Sequence, residues 1–447
     1  MEGLARPEGR RTAFVIFGAA GSLATGRLLP AVQGLVAAHE IPRRLLVVGL
    51  DLKPPPSTFN RQGFAYIRGD LARRDPFDSL SAMLAKKLPE SNAEFAYYLA
   101  TAPQLFMKIV GGLEESGLDD FGASRKILVE KPFGTDLASS RALQKKLEAS
   151  FGGARVYRID HFLAKAGVRE IARTRRATAE LEATLNSDCV DQVQIVADEA
   201  FGVERRATFY DKIGVMRDMF QNHLLQVLCQ VAMELPTPGA SADREDLKAD
   251  LLRQIAPPSG DDVVWGQYSG YRSVKGVDEE SRTPTFVALR LSVNGRRWRG
   301  VPFYIRTGKR LRRTLTKAVI VFKRPAPVRI RGKLRKLGFV SFEIDPRATV
   351  VVGGLKREAG REALQTASEV IRSVPPQDEY ELLLREALTD DHSFFVGDRF
   401  NDLAWEIADP AIKELEEGRG NLMTYRQGSD GPAESDRLLR ESGRIWY

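Results

Sequence analysis

AFVIFGAAGSLATGRLLPA, residues 13–31, decides how the fold is read. Residues 13–17 form a short apolar run of β type that stops at Gly18. Beyond the turn, Leu28, Val32, Leu35 and Val36 recur at helical spacing, so the stretch predicts strand, glycine turn and helix. Gly18, Gly21 and Ala24 have the Gly-x-x-Gly-x-x-Ala spacing. That spacing lets a backbone turn tightly, approach a pyrophosphate and pack a helix whose first amides face the anion. Similar turns occur in α/β proteins that bind nothing there. The position of this one, after a strand and opening a helix, favours a dinucleotide.

Working outward, LLVVGL (45–50), FAYYLA (95–100), KILVE (126–130) and ARVYRI (154–159) are further apolar runs with helical patterns between them. Strands alternating with helices predict a doubly wound parallel sheet of Rossmann type over residues 1–159. The second strand runs into GLDLKPPP. There Asp51 can accept hydrogen bonds from both ribose hydroxyls and repel a 2′-phosphate, which favours NAD over NADP. Lys53 pulls the other way, and Asp51 can equally open a turn before the prolines. From residue 160 to 447 the order changes. VDQVQIVA (190–197), TFVALRLSV (285–293), AVIVFK (318–323), FVSFEI (339–344) and TVVVGG (349–354) follow one another with few helices between the later ones. They predict an α+β domain with a large, mostly antiparallel sheet, fronted by helices such as 214–235.

Composition sets the outer bounds. A chain of 447 residues, 43% hydrophobic and 28% charged, buries a large core and exceeds one ordinary domain. No apolar run reaches the roughly 18 residues a membrane span needs, and MEGLARPEGRR lacks the apolar centre of a signal peptide, so the cytoplasm is the expected address. Cys189 and Cys229 form neither a disulfide framework nor a zinc spacing, and no metal is expected. The net charge of +8 gathers in residues 309–338, which hold twelve Lys or Arg and no acid. A nucleic-acid groove interleaves such charge with stacking aromatics, and only Phe322 falls here, so a solvated or subunit-facing sheet surface is expected.

Chemistry concentrates in RIDHFLAK, residues 158–165, within a chain that has four histidines. His161 and Lys165 are four apart, so on a helix they share a face and can converge on a phosphate, while Asp160 points elsewhere or caps the helix. His223 has Met216, Met219 and Val227 at helical offsets and is placed on the buried stripe of an amphipathic helix. A histidine there can be a satisfied core residue. It can also be a general base, which needs an imidazole shielded from water and a carboxylate to orient it, and Asp160 is a candidate for that carboxylate.

GAAGSLATGRLLPA, EKPFGTDLASS, RIDHFLAK, EAFGVERRATFYDKIGVMRDMFQNHLLQ, VPFYIRTGKRL and the tail QGSDGPAESDRLLRESGRIW stand in an order and spacing that resembles the glucose-6-phosphate dehydrogenases over nearly the whole chain. The resemblance implies NAD(P)-dependent oxidation of glucose 6-phosphate to its lactone, the first step of the oxidative pentose phosphate pathway. By the same resemblance His223 is the general base and Asp160 its carboxylate, while His161 and Lys165 hold the phosphate. Lys131 stands between sugar and nicotinamide, Glu199 and Asp218 bind sugar hydroxyls, Lys309 binds substrate, and Arg27 replaces a lysine that reaches toward it. Gly18, Ala20, Gly21, Ser22, Leu23, Asp51, Ala100 and Lys131 are the implied cofactor contacts, and a homodimer or homotetramer the implied assembly. Phe162 replaces a tyrosine, Ala164 a glycine and Ser22 an aspartate, and GLDLK stands where many members have an alanine followed by an arginine that clasps the 2′-phosphate of NADP. Phe162 and Ala164 leave room for a different sugar or sugar phosphate; a non-catalytic regulatory homologue is a separate alternative, against which the retained acid, base and lysines stand.

Overall fold

The computed structural model describes residues 11–447 except 42–44, 89–92, 121, 123, 237–243, 331, 359–360, 365–367 and 376. The chain forms two compact units, one of Met1–Ala164 with Asp378–Gly397, the other of Lys165–Gln377 with Asp398–Tyr447.

The first unit is built on β1 (Thr12–Phe17), β2 (Leu45–Asp51), β3 (Phe64–Arg68), β4 (Glu94–Leu99), β5 (Ser124–Glu130) and β6 (Val156–Ile159). They are parallel and ordered β3-β2-β1-β4-β5-β6, the arrangement of a doubly wound nucleotide-binding sheet. Every residue of β1 is buried, because a parallel sheet is covered on both faces and its strands read as continuous apolar runs. β3, FAYIR, is an edge strand with one buried residue, so no such run announces it. The return segment 378–397 adds a helix, Glu379–Leu388, capped by Asp378, and a short strand, Phe395–Val396, antiparallel to β6. Leu382, Leu383 and Leu384 join Leu29, Val32 and Leu35 in one core. The buried Lys126 ammonium donates to Ala387 O at 2.8 Å and to Asp390 at 2.5 Å, fastening the segment to β5.

The second unit holds a nine-stranded sheet containing β7 (Val190–Asp198), β8 (Val263–Tyr268), β9 (Phe286–Ser292), β10 (Pro302–Gly308), β11 (Leu315–Ile330), β12 (Lys333–Asp345) and β13 (Ala348–Gly353). Glu369–Val374 and Leu422–Tyr425 are its edges. Pairing is antiparallel except between β7 and β10 and between β8 and Leu422–Tyr425. Doubly wound parallel sheet followed by a mostly antiparallel one is the fold class expected from the sequence. The basic run 309–338 is broken up by acids: Arg310 pairs with Glu204 at 2.6 Å, Arg312 with Asp430 at 2.8 Å and Arg335 with Glu369 at 3.0 Å. Among the described residues no helix is long and apolar enough to cross a membrane.

The helix expected over 214–235 is three segments. An α-helix, Ala207–Val215, bends at Gly214 (φ 69°), a π-helix runs from Met216 to Leu224, and an α-helix resumes at Leu225–Ala232. Burial on nearly all sides, rather than along one stripe, is why an α-helical pattern read from spacing misses the change of winding.

Candidate active site

In the first unit β1 ends at Gly18, whose φ of +84° and whose amide, 2.8 Å from Leu50 O, turn the chain back over β2. A Cβ at Gly18 would lie 2.6 Å from Ala100 O, so the approach of the turn to β4 demands glycine. Gly21 N closes the turn on Gly18 O at 3.0 Å. A π-helical turn, Ala24–Leu28, follows and carries the exposed Arg27. Asp51, at the end of β2, accepts from Ala20 N at 3.1 Å and from Lys53 N at 2.9 Å, so it both opens a turn and braces the glycine loop. Gly18, Gly21, Asp51 and Ala100 line one cavity of about 260 Å³, while Ser22 is exposed and Leu23 packs on the core. These residues fit a dinucleotide. The cavity lies at the carboxyl ends of β1 and β4, where the strand order reverses, and glycine keeps its wall free of side chain. Asp70, a second acid on the same wall, is missed by motif reading because it follows the inconspicuous β3.

Asp160 follows β6 and is buried. It accepts from Phe162 N through its carboxylate and from Leu163 N through its carbonyl, both at 3.0 Å, and so starts the single turn His161–Ala164. Capping and burial therefore coexist. The expected common helix face of His161 and Lys165 is not formed. Lys165 has an extended ψ of 130° and caps a new helix, Ala166–Ala177, while its ammonium lies 2.9 Å from Asp345. Gly167 at the start of that helix packs so closely on β12 that a Cβ would lie 2.6 Å from Ile344 Cα. The His161 ring meets Phe162 edge-on at 5.2 Å and stacks on Tyr380 at 6.5 Å. Beside them, Glu130 at the end of β5 accepts from Tyr98 Oη at 2.6 Å and Tyr380 Oη at 3.3 Å, and Lys131 follows directly. Neither Glu130 nor Tyr380 is marked by spacing, since the two are joined across 250 residues of sequence.

In the second unit β7 and β10 run parallel and end together, placing Glu199 and Lys309 side by side. Lys309 is 4% exposed, yet its ammonium lies 2.5 Å from Glu199 and 3.3 Å from Asp218. It also lies 4.9 Å from the Tyr210 ring centroid and 5.5 Å from that of Phe201, which is 51% exposed. Burial works to lower the Lys309 pKa, but Asp218 and Glu199 outweigh it and hold the pKa above the usual lysine value. Asp218 and His223 share the π-helix Met216–Leu224, one i→i+5 turn apart, and both are buried. π-Helical turns mark functional sites often enough that two of them, one bearing Arg27 and one bearing Asp218 and His223, are informative.

A glycine turn at the switch point of a doubly wound sheet places this chain in the class of dinucleotide-binding α/β proteins. Residues 56–170 match the family profile described as glucose-6-phosphate dehydrogenase, NAD binding domain, and residues 173–447 match that described as the C-terminal domain. Similar chains include the glucose-6-phosphate 1-dehydrogenases of Aggregatibacter actinomycetemcomitans, 32% identical over 97% of this chain and 96% of that one, and of Mycolicibacterium smegmatis, 33% identical over 97% of each. A solved structure of glucose-6-phosphate dehydrogenase in complex with its substrate glucose-6-phosphate superposes with a TM-score of 0.83 at 27% identity, covering 98% of this chain and 99% of that one. The enzyme from Mycobacterium avium gives 0.81 at 29% identity, covering 98% of each. The chain belongs to the glucose-6-phosphate dehydrogenase family, and its first unit is of the nicotinamide-dinucleotide-binding kind.

Proposed function

We propose that this protein oxidises the anomeric hydroxyl of glucose 6-phosphate to the lactone, with NAD favoured over NADP. The nicotinamide, when bound, supplies the acceptor for the hydride that leaves C1. His223 takes the O1–H proton as the new C1=O bond forms, and Asp160 serves as the carboxylate that steadies the imidazolium. Glu199 and Asp218 accept hydrogen bonds from the sugar hydroxyls, and Lys309, which also binds substrate, holds the two carboxylates in place. His161 and Lys165 bind the phosphate, Lys131 and Arg27 approach the substrate, and the Gly18–Gly21 turn receives the pyrophosphate. The observation that carries this reading is the Lys309–Glu199–Asp218 cluster, with Lys309 and Asp218 buried and His223 one π-turn beyond Asp218. A core that merely needed filling would not bury the Asp218 carboxylate, the Lys309 ammonium and the His223 imidazole, with Glu199 half-buried beside the ammonium.

The preference for NAD is supported by Asp51, which borders the cavity with its carboxylate fixed by two backbone amides. A 2′-phosphate there would meet like charge. Initial rates with NAD and NADP at saturating glucose 6-phosphate test both statements. Faster turnover with NAD supports them, a preference for NADP removes the Asp51 reading, and silence with both removes the activity. His223→Asn is expected to lower kcat at least about a hundredfold while leaving substrate affinity largely intact, and near-normal turnover would sink the base assignment.

A further inference from the structure

Glu130 has no role in the assignments above, yet it stands where they meet in the first unit. It ends β5, and Lys131 is the next residue. Its buried carboxylate accepts from Tyr98, on β4, and from Tyr380, on the returning helix Glu379–Leu388. The ring of Tyr380 lies nearly parallel to that of His161, with an interplanar angle of 11°. One carboxylate therefore ties two strands and a distant helix together at the point where Lys131 and His161 leave the sheet. We propose that Glu130, acting through Tyr98 and Tyr380, is a positioning residue that fixes Lys131 and the His161 ring for the sugar phosphate. The inference rests on the substrate-binding roles proposed for those two residues.

The groups facing this carboxylate give the device a pH dependence. Burial pushes the Glu130 pKa up to about 7, against the Tyr98 bond, the Lys131 charge and the Tyr380 bond, which lower it, and with the Asp160 charge, which raises it. Behind Tyr380 stand the charges of Arg27 and Glu379 and the stacked His161 ring. Two phenols donate to one ionised carboxylate. Both donate to Oε1, and protonation of the carboxyl turns that oxygen from a charged acceptor into a neutral one, so the two phenol bonds weaken together. Positioning is thus complete above pH 7 and relaxes below it.

The test measures KM and kcat for glucose 6-phosphate between pH 5.5 and 9 in the wild type, Glu130→Gln and Tyr380→Phe, with calorimetric binding of the sugar phosphate alongside. Ionisation of the sugar phosphate itself, near pH 6, is common to all three proteins. Expected for Glu130→Gln is a KM raised about fivefold or more at pH 8, a change in kcat under about twofold, and loss of the inflection near pH 7. Tyr380→Phe keeps the ring but removes a bond that favours the ionised form, so its inflection moves to higher pH. Should Glu130→Gln fail to fold, that displacement alone decides. Unchanged KM and unchanged pH profiles in an active wild type and both folded variants would overturn the positioning role and leave the proposed activity standing. A wild type that neither binds nor oxidises glucose 6-phosphate would overturn both.

Discussion

Lys309 and Glu130 occupy the same kind of place in the two units. Each stands at the carboxyl end of a parallel strand, each is buried, and each borders residues assigned to substrate. Their partners differ. Two carboxylates converge on Lys309, and their attraction exceeds the desolvation cost, so the ammonium is held charged. Glu130 receives two phenols, which lower its pKa without matching what burial does, and it is left titrating near neutrality. Burial alone therefore does not say whether a site charge is permanent. The second unit presents a fixed charge and the first a switchable one, and the difference lies in how much counter-charge was folded in, two carboxylates at Lys309 against the single Lys131 charge at Glu130.

The strongest way to break this comparison is to remove the ammonium. Lys309→Met removes the cation that Glu199 and Asp218 share, leaving Asp218 the exposed Arg206 at 3.5 Å. Loss of one side of a buried ionic cluster costs about 3–5 kcal/mol of stability, read from urea unfolding at pH 7. Glu199→Gln added to that variant should restore part of the loss. A cost under about 1 kcal/mol would mean that the cluster is hydrated and that Lys309 is not the fixed charge described.

Glu130→Gln comes next, and here the sign separates the units. The folded pKa of about 7 exceeds the ordinary 4.5, so the folded state binds the proton more tightly. The stability this confers is complete below about pH 4.5 and is lost as pH rises through about 7. Relative to Glu130→Gln, the wild type should lose up to about 3 kcal/mol between pH 4.5 and 8. A constant difference across that range would show Glu130 to be ionised throughout, as Lys309 is.

The same contrast explains what the sequence discloses. The strand-turn-helix at 12–37, the parallel strands and the change to an antiparallel sheet are legible because they rest on local period and on glycine spacing. Lys309, Glu199 and Asp218 are found by resemblance to a family, and their mutual pairing depends on where β7 and β10 end, which spacing does not give. Glu130 and Tyr380 stay hidden for a different reason. Nothing in DEYELLLREAL says that this helix returns to the first sheet, because its apolar spacing suits any core. The face shared by His161 and Lys165 fails because helical spacing carries no information about a break, and Lys165 takes an extended ψ after a single turn.

Lys317 sharpens the comparison with the smallest expected effect, since it falls between the two cases. It lies on β11 opposite Glu343 of β12, so one acid stands directly across from it where two make ion pairs with Lys309. That acid already accepts from the Thr349 hydroxyl at 2.6 Å. Burial and the nearby Arg313 lower the Lys317 pKa, Glu343 opposes them, Arg306 lowers it further and Asp198 raises it, and the value settles at about 8. A lysine whose folded pKa is depressed destabilises the fold while it is charged. That cost is fully present below about pH 8 and disappears as pH rises toward the ordinary 10.5. Lys317→Met should therefore be more stable than the wild type by about 1 kcal/mol at pH 7, less than the full shift because Glu343 loses a neighbour, and the gain should vanish near pH 10.5. Urea unfolding of both proteins at the two pH values reads the difference directly. If the variant is instead less stable by about 1 kcal/mol or more at pH 7, one cross-strand carboxylate is enough to hold a buried ammonium, and the second acid at Lys309 is there for the sugar rather than for the charge.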